Sequence, residues 1–171
     1  MLNEIVRTIK YGVLGNRQGH CMSNIQVIEN RISSTRKYLI ILKTYQGLTR
    51  RKIESNTYIR GAVERYLYLA AQSVIDLSEA IIAHKNFRKP TTMSEAFYIL
   101  HEENFLPGTL TEKLVRLVGF RNVLAYDYED IDYDVVCNVL QKGLNDIEVF
   151  LKIISRKLNI TPSGEGTEKA K

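Results

Sequence analysis

Asn56-Thr57-Tyr58-Ile59-Arg60-Gly61-Ala62-Val63-Glu64-Arg65-Tyr66-Leu67-Tyr68-Leu69-Ala70-Ala71-Gln72-Ser73-Val74-Ile75-Asp76-Leu77-Ser78-Glu79-Ala80-Ile81-Ile82-Ala83 reads as one long helix, opened by Ser55-Asn56. Ala62, Leu69, Val74, Leu77 and Ile81 are read as lining one side, and Leu67 and Ala70 widen the apolar band. A band that broad needs cover from several neighbours, which places this helix at the centre of a bundle.

The neighbours lie on either side in sequence. Upstream, Ile25, Ile28, Ile32, Leu39 and Leu42 recur at helical spacing from Ile25 to about Tyr45, with Ser23 or Asn24 as N-cap and Gly47 at the end. The basic cluster Arg50-Arg51-Lys52 then falls in or beside a loop. Downstream, Pro90 stops the long helix, and a shorter one runs from Thr92 to His101, closed by Pro107-Gly108. Thr109 or Thr111 is expected to cap a helix through Leu114, Leu117, Val118 and Val123. Asp132 or Asp134 caps a last long one carrying Val136, Leu140, Leu144, Ile147 and Leu151. No strand-like alternation stands out. The expected fold is all-α, an up-and-down bundle of four long helices and one short one.

At 171 residues, with 44% apolar and 25% charged residues, the chain fits one soluble globular domain with a sizeable core. Lys and Arg outnumber Asp and Glu by 24 to 19. That excess permits contact with a phosphate backbone without demanding it. Cys21 and Cys137 are too few and too far apart for a disulfide framework or a zinc site, so a reducing, cytoplasmic setting is expected. No uninterrupted apolar run reaches bilayer-spanning length, and no membrane partner is expected. The body is set at residues 23–158, between an N-terminal extension (1–22) and a disordered tail (159–171). Met22 is read as the true start, a weakly ordered arm being the alternative.

The candidate site is Gly119-Phe120-Arg121-Asn122-Val123-Leu124-Ala125-Tyr126-Asp127-Tyr128. On an ideal helix Arg121 and Tyr128 differ by about 20° and share a face, whereas Arg121 and Tyr126 differ by about 140°. Asn122 and Tyr126, four apart, can touch. Arg121 meets Tyr126 only if the helix ends or bends between them, or if a second subunit contributes. The bland alternative is a set of surface tyrosines, with Arg121 paired to Asp127, Glu129 or Asp130.

The run Arg121-Asn122 through Tyr126 and Tyr128 resembles the R-x4-H-x-Y signature of the HEPN superfamily, in its HepT-like branch. Arg60 through Asp76 resembles the long second helix of the same proteins. The resemblance covers residues 23–155. It implies the toxin of a type VII-like toxin–antitoxin system: a metal-independent RNA endonuclease, without cofactor, working as a homodimer on an RNA substrate. It also implies a nucleotidyltransferase antitoxin of the MntA kind, which adenylylates the motif tyrosine. Carried onto this chain, the catalytic set is Arg121 on the phosphate, Asn122 assisting, and Tyr126 in the place of the motif histidine. Tyr128 is the adenylylation acceptor, with Tyr126 as a competing one.

Tyr126 departs from the pattern. Histidine has both protonation states available near neutrality, whereas an ordinary phenol is ionised in about one molecule in a thousand at pH 7, a deficit of roughly 4 kcal/mol for a base. Weak or absent cleavage is therefore expected. The alternative is a catalytically silent HEPN protein that binds a nucleotidyltransferase, a nucleotide or RNA without cutting.

Arg50, Arg51, Lys52 and Arg65, with Arg60, are the candidate RNA-binding rim, the alternative being a solvated charge run. His20, His84 and His101 are scattered, and Asp127, Glu129, Asp130, Asp132 and Asp134 read as cap and surface rather than as metal ligands. No metal site is expected.

Overall fold

The structure, a computed structural model, describes residues 24–126 and 131–160. The extension, the tail beyond Ile160, and Asp127, Tyr128, Glu129 and Asp130 lie outside these residues. The described chain is helical, in the order α1 (Asn24–Lys43), α2 (Arg50–Ser55), α3 (Thr57–Lys85), α4 (Met93–Glu102), α5 (Gly108–Tyr126), α6 (Tyr133–Asn138) and α7 (Leu144–Lys157). A π turn over Val139–Gly143 joins α6 to α7, so the last long helix of the sequence reading is a single rod with a widened middle. There Gln46 Nε2 donates to the Leu140 carbonyl (3.0 Å). A Cβ on Gly143 would lie only 3.1 Å from a Val139 methyl, so glycine suits the tight turn.

α3 is the central rod, as its breadth of apolar sequence requires. It packs against α1, α2, α4 and α5. Asn56 caps its start, the side chain accepting from the backbone N–H of Tyr58 and Ile59. At the other end Asn86 adopts the left-handed conformation (φ 55°, ψ 35°) and its N–H bonds back into the last turn. By length and composition α3 alone among the described helices could cross a membrane, but 56% of its apolar window is buried in the bundle.

The buried face of α3 differs from the expected one. Val63, Leu67, Ala70, Ala71, Val74, Ile75, Leu77, Ile81 and Ile82 are buried, whereas Ala62 and Leu69 are only half-buried. Ala62 and Val74 are twelve residues apart, hence about 120° apart around the axis, so they cannot line one side. The gap at Thr35 in the stripe of α1 is filled by polar pairing. Its buried hydroxyl donates to Ser73 Oγ (2.9 Å), which donates on to the Ala70 carbonyl (2.9 Å). Phe97 on α4 and Phe150 on α7 meet edge to face in the core, with ring centroids 6.4 Å apart. Each fully buried side chain of this size contributes roughly 1.5–3 kcal/mol of transfer free energy.

Two starts also differ. Arg50-Arg51-Lys52 falls beside the loop, as the first turn of a helix not expected there, α2, capped by Thr49 and held down by the buried Ile53. α5 begins at Gly108, directly after Pro107, whose carbonyl accepts from the backbone N–H of Leu110 and Thr111. Thr111 therefore lies inside the helix, buried, its hydroxyl donating to the same carbonyl (3.2 Å), and neither Thr109 nor Thr111 caps it. Asp132 does cap α6, and Thr92, read as the first residue of its helix, is the cap of α4. Asn159 and Ile160, assigned to the tail by the sequence reading, close α7 instead, the Ile160 N–H reaching the Ser155 carbonyl (2.9 Å).

Candidate active site

α5 runs against α3 and turns Arg121 inward, and Arg121 is buried to 8% exposure. Its guanidinium makes three hydrogen bonds. Nε donates to Gln72 Oε1 (2.7 Å), Nη2 to the Tyr68 hydroxyl (2.9 Å) and Nη1 to Asn122 Oδ1 (3.1 Å). The guanidinium carbon also lies 4.9 Å from the centroid of the Tyr68 ring. Gln72 and Tyr68 are four apart on α3, so they form adjacent rungs of one helix face. Gln72 Nε2 donates to Asp76 Oδ1 (2.7 Å), and Asp76 Oδ2 in turn accepts from Arg31 on α1 (2.9 Å). A polar chain thus crosses the bundle from Arg31 to Asn122.

The five expected rim cations divide, Arg60 lying half-buried in the first turn of α3. Arg65 belongs to this cluster: its guanidinium carbon sits 5.6 Å from the same Tyr68 ring, and it lines a shallow groove of about 320 Å³ with Glu64, Tyr68, Leu124 and Ala125. Arg50 is instead tied to Glu54 and Asp134, which raise its pKa and compensate its charge. Arg51 and Lys52 are exposed on α2.

Tyr126 is the last residue of α5 and is 72% exposed, while Arg121 on the same helix is buried. One copy of the chain therefore does not bring Arg121 and Tyr126 onto a common face, as the helical arithmetic anticipates. Asn122 is brought to Arg121, and Tyr128 lies outside the described residues. Tyr68 and Gln72 were not singled out by sequence reasoning. Their signal is the spacing Glu64, Tyr68, Gln72, Asp76, a polar ladder at every fourth residue of an otherwise apolar helix. Among the described residues no group of three or more histidine, cysteine or acidic side chains is placed to hold a metal ion.

Beside the site, Tyr133 at the start of α6 donates its hydroxyl hydrogen to Glu64 on α3. Burial first, and the Glu64 carboxylate second, push the Tyr133 phenol up to about 12. Because the folded value lies above the ordinary one, the resulting stability is complete below pH 10 and is lost as pH rises from 10 to 12. Thermal melts across that window should fall less steeply for Tyr133→Phe than for the native chain. Equal slopes would show that this contact does not anchor α6.

Among the described residues the bundle has no strand, and it buries an arginine against its central helix five residues before the first of the two motif tyrosines. The chain belongs to the ribonuclease HepT-like family, whose model matches residues 35–154. It is 23% identical over 128 residues to the mRNA nuclease HepT of Shewanella oneidensis, covering 75% of this chain and 96% of that protein. It is 28% identical over 139 residues to the tRNA nuclease HepT of Aphanizomenon flos-aquae, covering 80% and 95%. Among solved structures, the fold matches that of the tri-AMPylated Shewanella oneidensis HEPN toxin in complex with its MNT antitoxin. The TM-score there is 0.71 at 24% identity, over 79% of this chain and 99% of that one. The Bacillus subtilis cytosolic protein of unknown function YutE matches with a TM-score of 0.69 at 17% identity, over 79% and 90%.

Proposed function

We propose that this chain is the toxin of a toxin–antitoxin pair, a HEPN endoribonuclease whose cleavage is attenuated by Tyr126. The observation that carries the reading is the buried Arg121 guanidinium, held by Gln72, Tyr68 and Asn122 with no carboxylate partner among the described residues. A buried cation left without an anion favours binding one, and the phosphate of an RNA backbone supplies it. Family membership and the two HepT nucleases support RNA as the substrate. Arg121 stabilises charge on the phosphate oxygens, Asn122 assists, and Tyr126 stands where the acid–base histidine would act. Since Tyr126 points away from Arg121 on one chain, the full site needs a second copy, with one subunit's Tyr126 approaching the other's Arg121 across a two-fold axis.

The antitoxin is proposed to be a nucleotidyltransferase that places AMP on Tyr128. The solved relative in tri-AMPylated form beside its MNT antitoxin supports this. Co-expression with such a partner followed by peptide mass spectrometry should place the adenylyl group on Tyr128, and Tyr128→Phe should remove it. An adduct found only outside Tyr126–Tyr128 would refute the assignment. Tyr126 itself favours a second reading, a silent HEPN protein that binds its partner and RNA without cutting. Growth arrest on expressing the chain alone singles out the toxin, and normal growth with retained partner binding singles out the silent protein.

A further inference from the structure

We infer that Gln72 and Tyr68 are positioning residues for Arg121, and that their neutrality is what keeps its charge free for a phosphodiester anion. The inference rests on the ribonuclease reading of Arg121 and extends it to α3. A buried arginine is ordinarily answered by a carboxylate. Here a carboxylate stands one turn away on the same face of α3, yet Asp76 is answered by Arg31 rather than by Arg121. Gln72 intervenes. Its Nε2 donates to Asp76, which fixes the amide orientation and leaves Oε1 to accept from Arg121 Nε. The guanidinium is thereby oriented by a dipole and not neutralised by a charge.

Tyr68 acts from one turn earlier on α3. Its hydroxyl oxygen accepts from Arg121 Nη2, so its own hydrogen remains available to donate to a bound anion. Its ring also lies against Arg65, the cation that lines the shallow groove together with Tyr68. The ligand class is therefore a polyanionic strand, with one phosphate at Arg121 and its neighbour within reach of Arg65.

A carboxylate at position 72 would improve the fold and impair the site. The variant to make is Gln72→Glu together with Asp76→Asn, which avoids two carboxylates at i, i+4 and preserves the bond between positions 72 and 76. Anisotropy with a labelled, 2′-O-methylated single-stranded RNA, which cannot be cleaved, reads binding. Thermal melting with and without inorganic phosphate reads stability. The double variant should melt at or above the native temperature, lose the rise that phosphate confers on the native chain, and bind RNA about tenfold or more weakly, a change of 1.4 kcal/mol per decade. Tyr68→Phe, which keeps the ring, should fold normally and bind RNA about threefold more weakly, the effect of one hydrogen bond. It decides the matter if the double variant does not fold. Native-like RNA binding by either folded variant, where Arg121→Gln binds weakly, overturns the positioning roles and leaves Arg121 as the phosphate ligand. Native-like binding by Arg121→Gln overturns the reading of Arg121 and this inference with it.

Discussion

Arg121→Gln is expected to abolish measurable RNA cleavage and to weaken RNA binding while leaving a folded, somewhat less stable protein. Removing one preorganised donor from a developing phosphate charge typically costs about 10²–10³ in rate. Arg121 presents a whole guanidinium, aimed by Gln72, Tyr68 and Asn122, so the loss should fall at or beyond the upper end. The stability change has two opposing parts. Loss of the charge removes a desolvation cost, and loss of the fork leaves Gln72 Oε1 and the Tyr68 hydroxyl short of a donor, about 1–3 kcal/mol for each group left unpaired. Glutamine can still reach one of them, which keeps the net destabilisation to roughly 1–2 kcal/mol by the same accounting. Single-turnover cleavage and urea denaturation measure the two effects separately. A folded Arg121→Gln protein that cuts like the native chain would remove the arginine from the mechanism.

The long helices were legible because a buried stripe leaves a periodic imprint. Ile28, Ile32, Leu39 and Leu42 on α1, and Val136, Leu140, Leu144, Ile147 and Leu151 toward the C-terminus, are all buried as their spacing requires. Cap chemistry is local, and so Asn56 and Asp132 could be read directly. α2 escaped because six residues with one buried side chain, Ile53, carry no period. The π turn escaped because its widened geometry depends on neighbours such as Gln46, 94 residues away from Leu140 in sequence. On α3 the apolar positions run nearly all round the helix, so which of them face inward depends on the four elements packed against it.

The site divides on the same principle. Arg121 and Asn122 are adjacent in one motif and both were read from it, although neighbours on a helix do not face each other and their contact depends on the reach of the arginine side chain. Tyr68 and Gln72 lie 53 and 49 residues from Arg121, and only the pairing of α3 with α5 brings them to it. The spacing argument that separated Tyr126 from Arg121 holds in the fold, where one side chain is exposed and the other buried.

Tyr126→His is expected to raise RNA cleavage by about a thousandfold at pH 7, because the variant supplies an imidazole, which has both protonation states available near neutrality. The substitution falls on an exposed position at the end of α5, so it should leave folding and assembly unchanged. It should also convert slight or absent growth inhibition into clear toxicity, relieved by the proposed nucleotidyltransferase antitoxin. The gain should vanish when Arg121→Gln is added, because the new base then has no bound phosphate to serve. Single-turnover cleavage of one RNA at pH 7 by the native chain and by Tyr126→His, each with and without Arg121→Gln, is the most direct measurement. The account predicts a large, Arg121-dependent increase in the histidine variant, and equal rates for the native chain and that variant would contradict it.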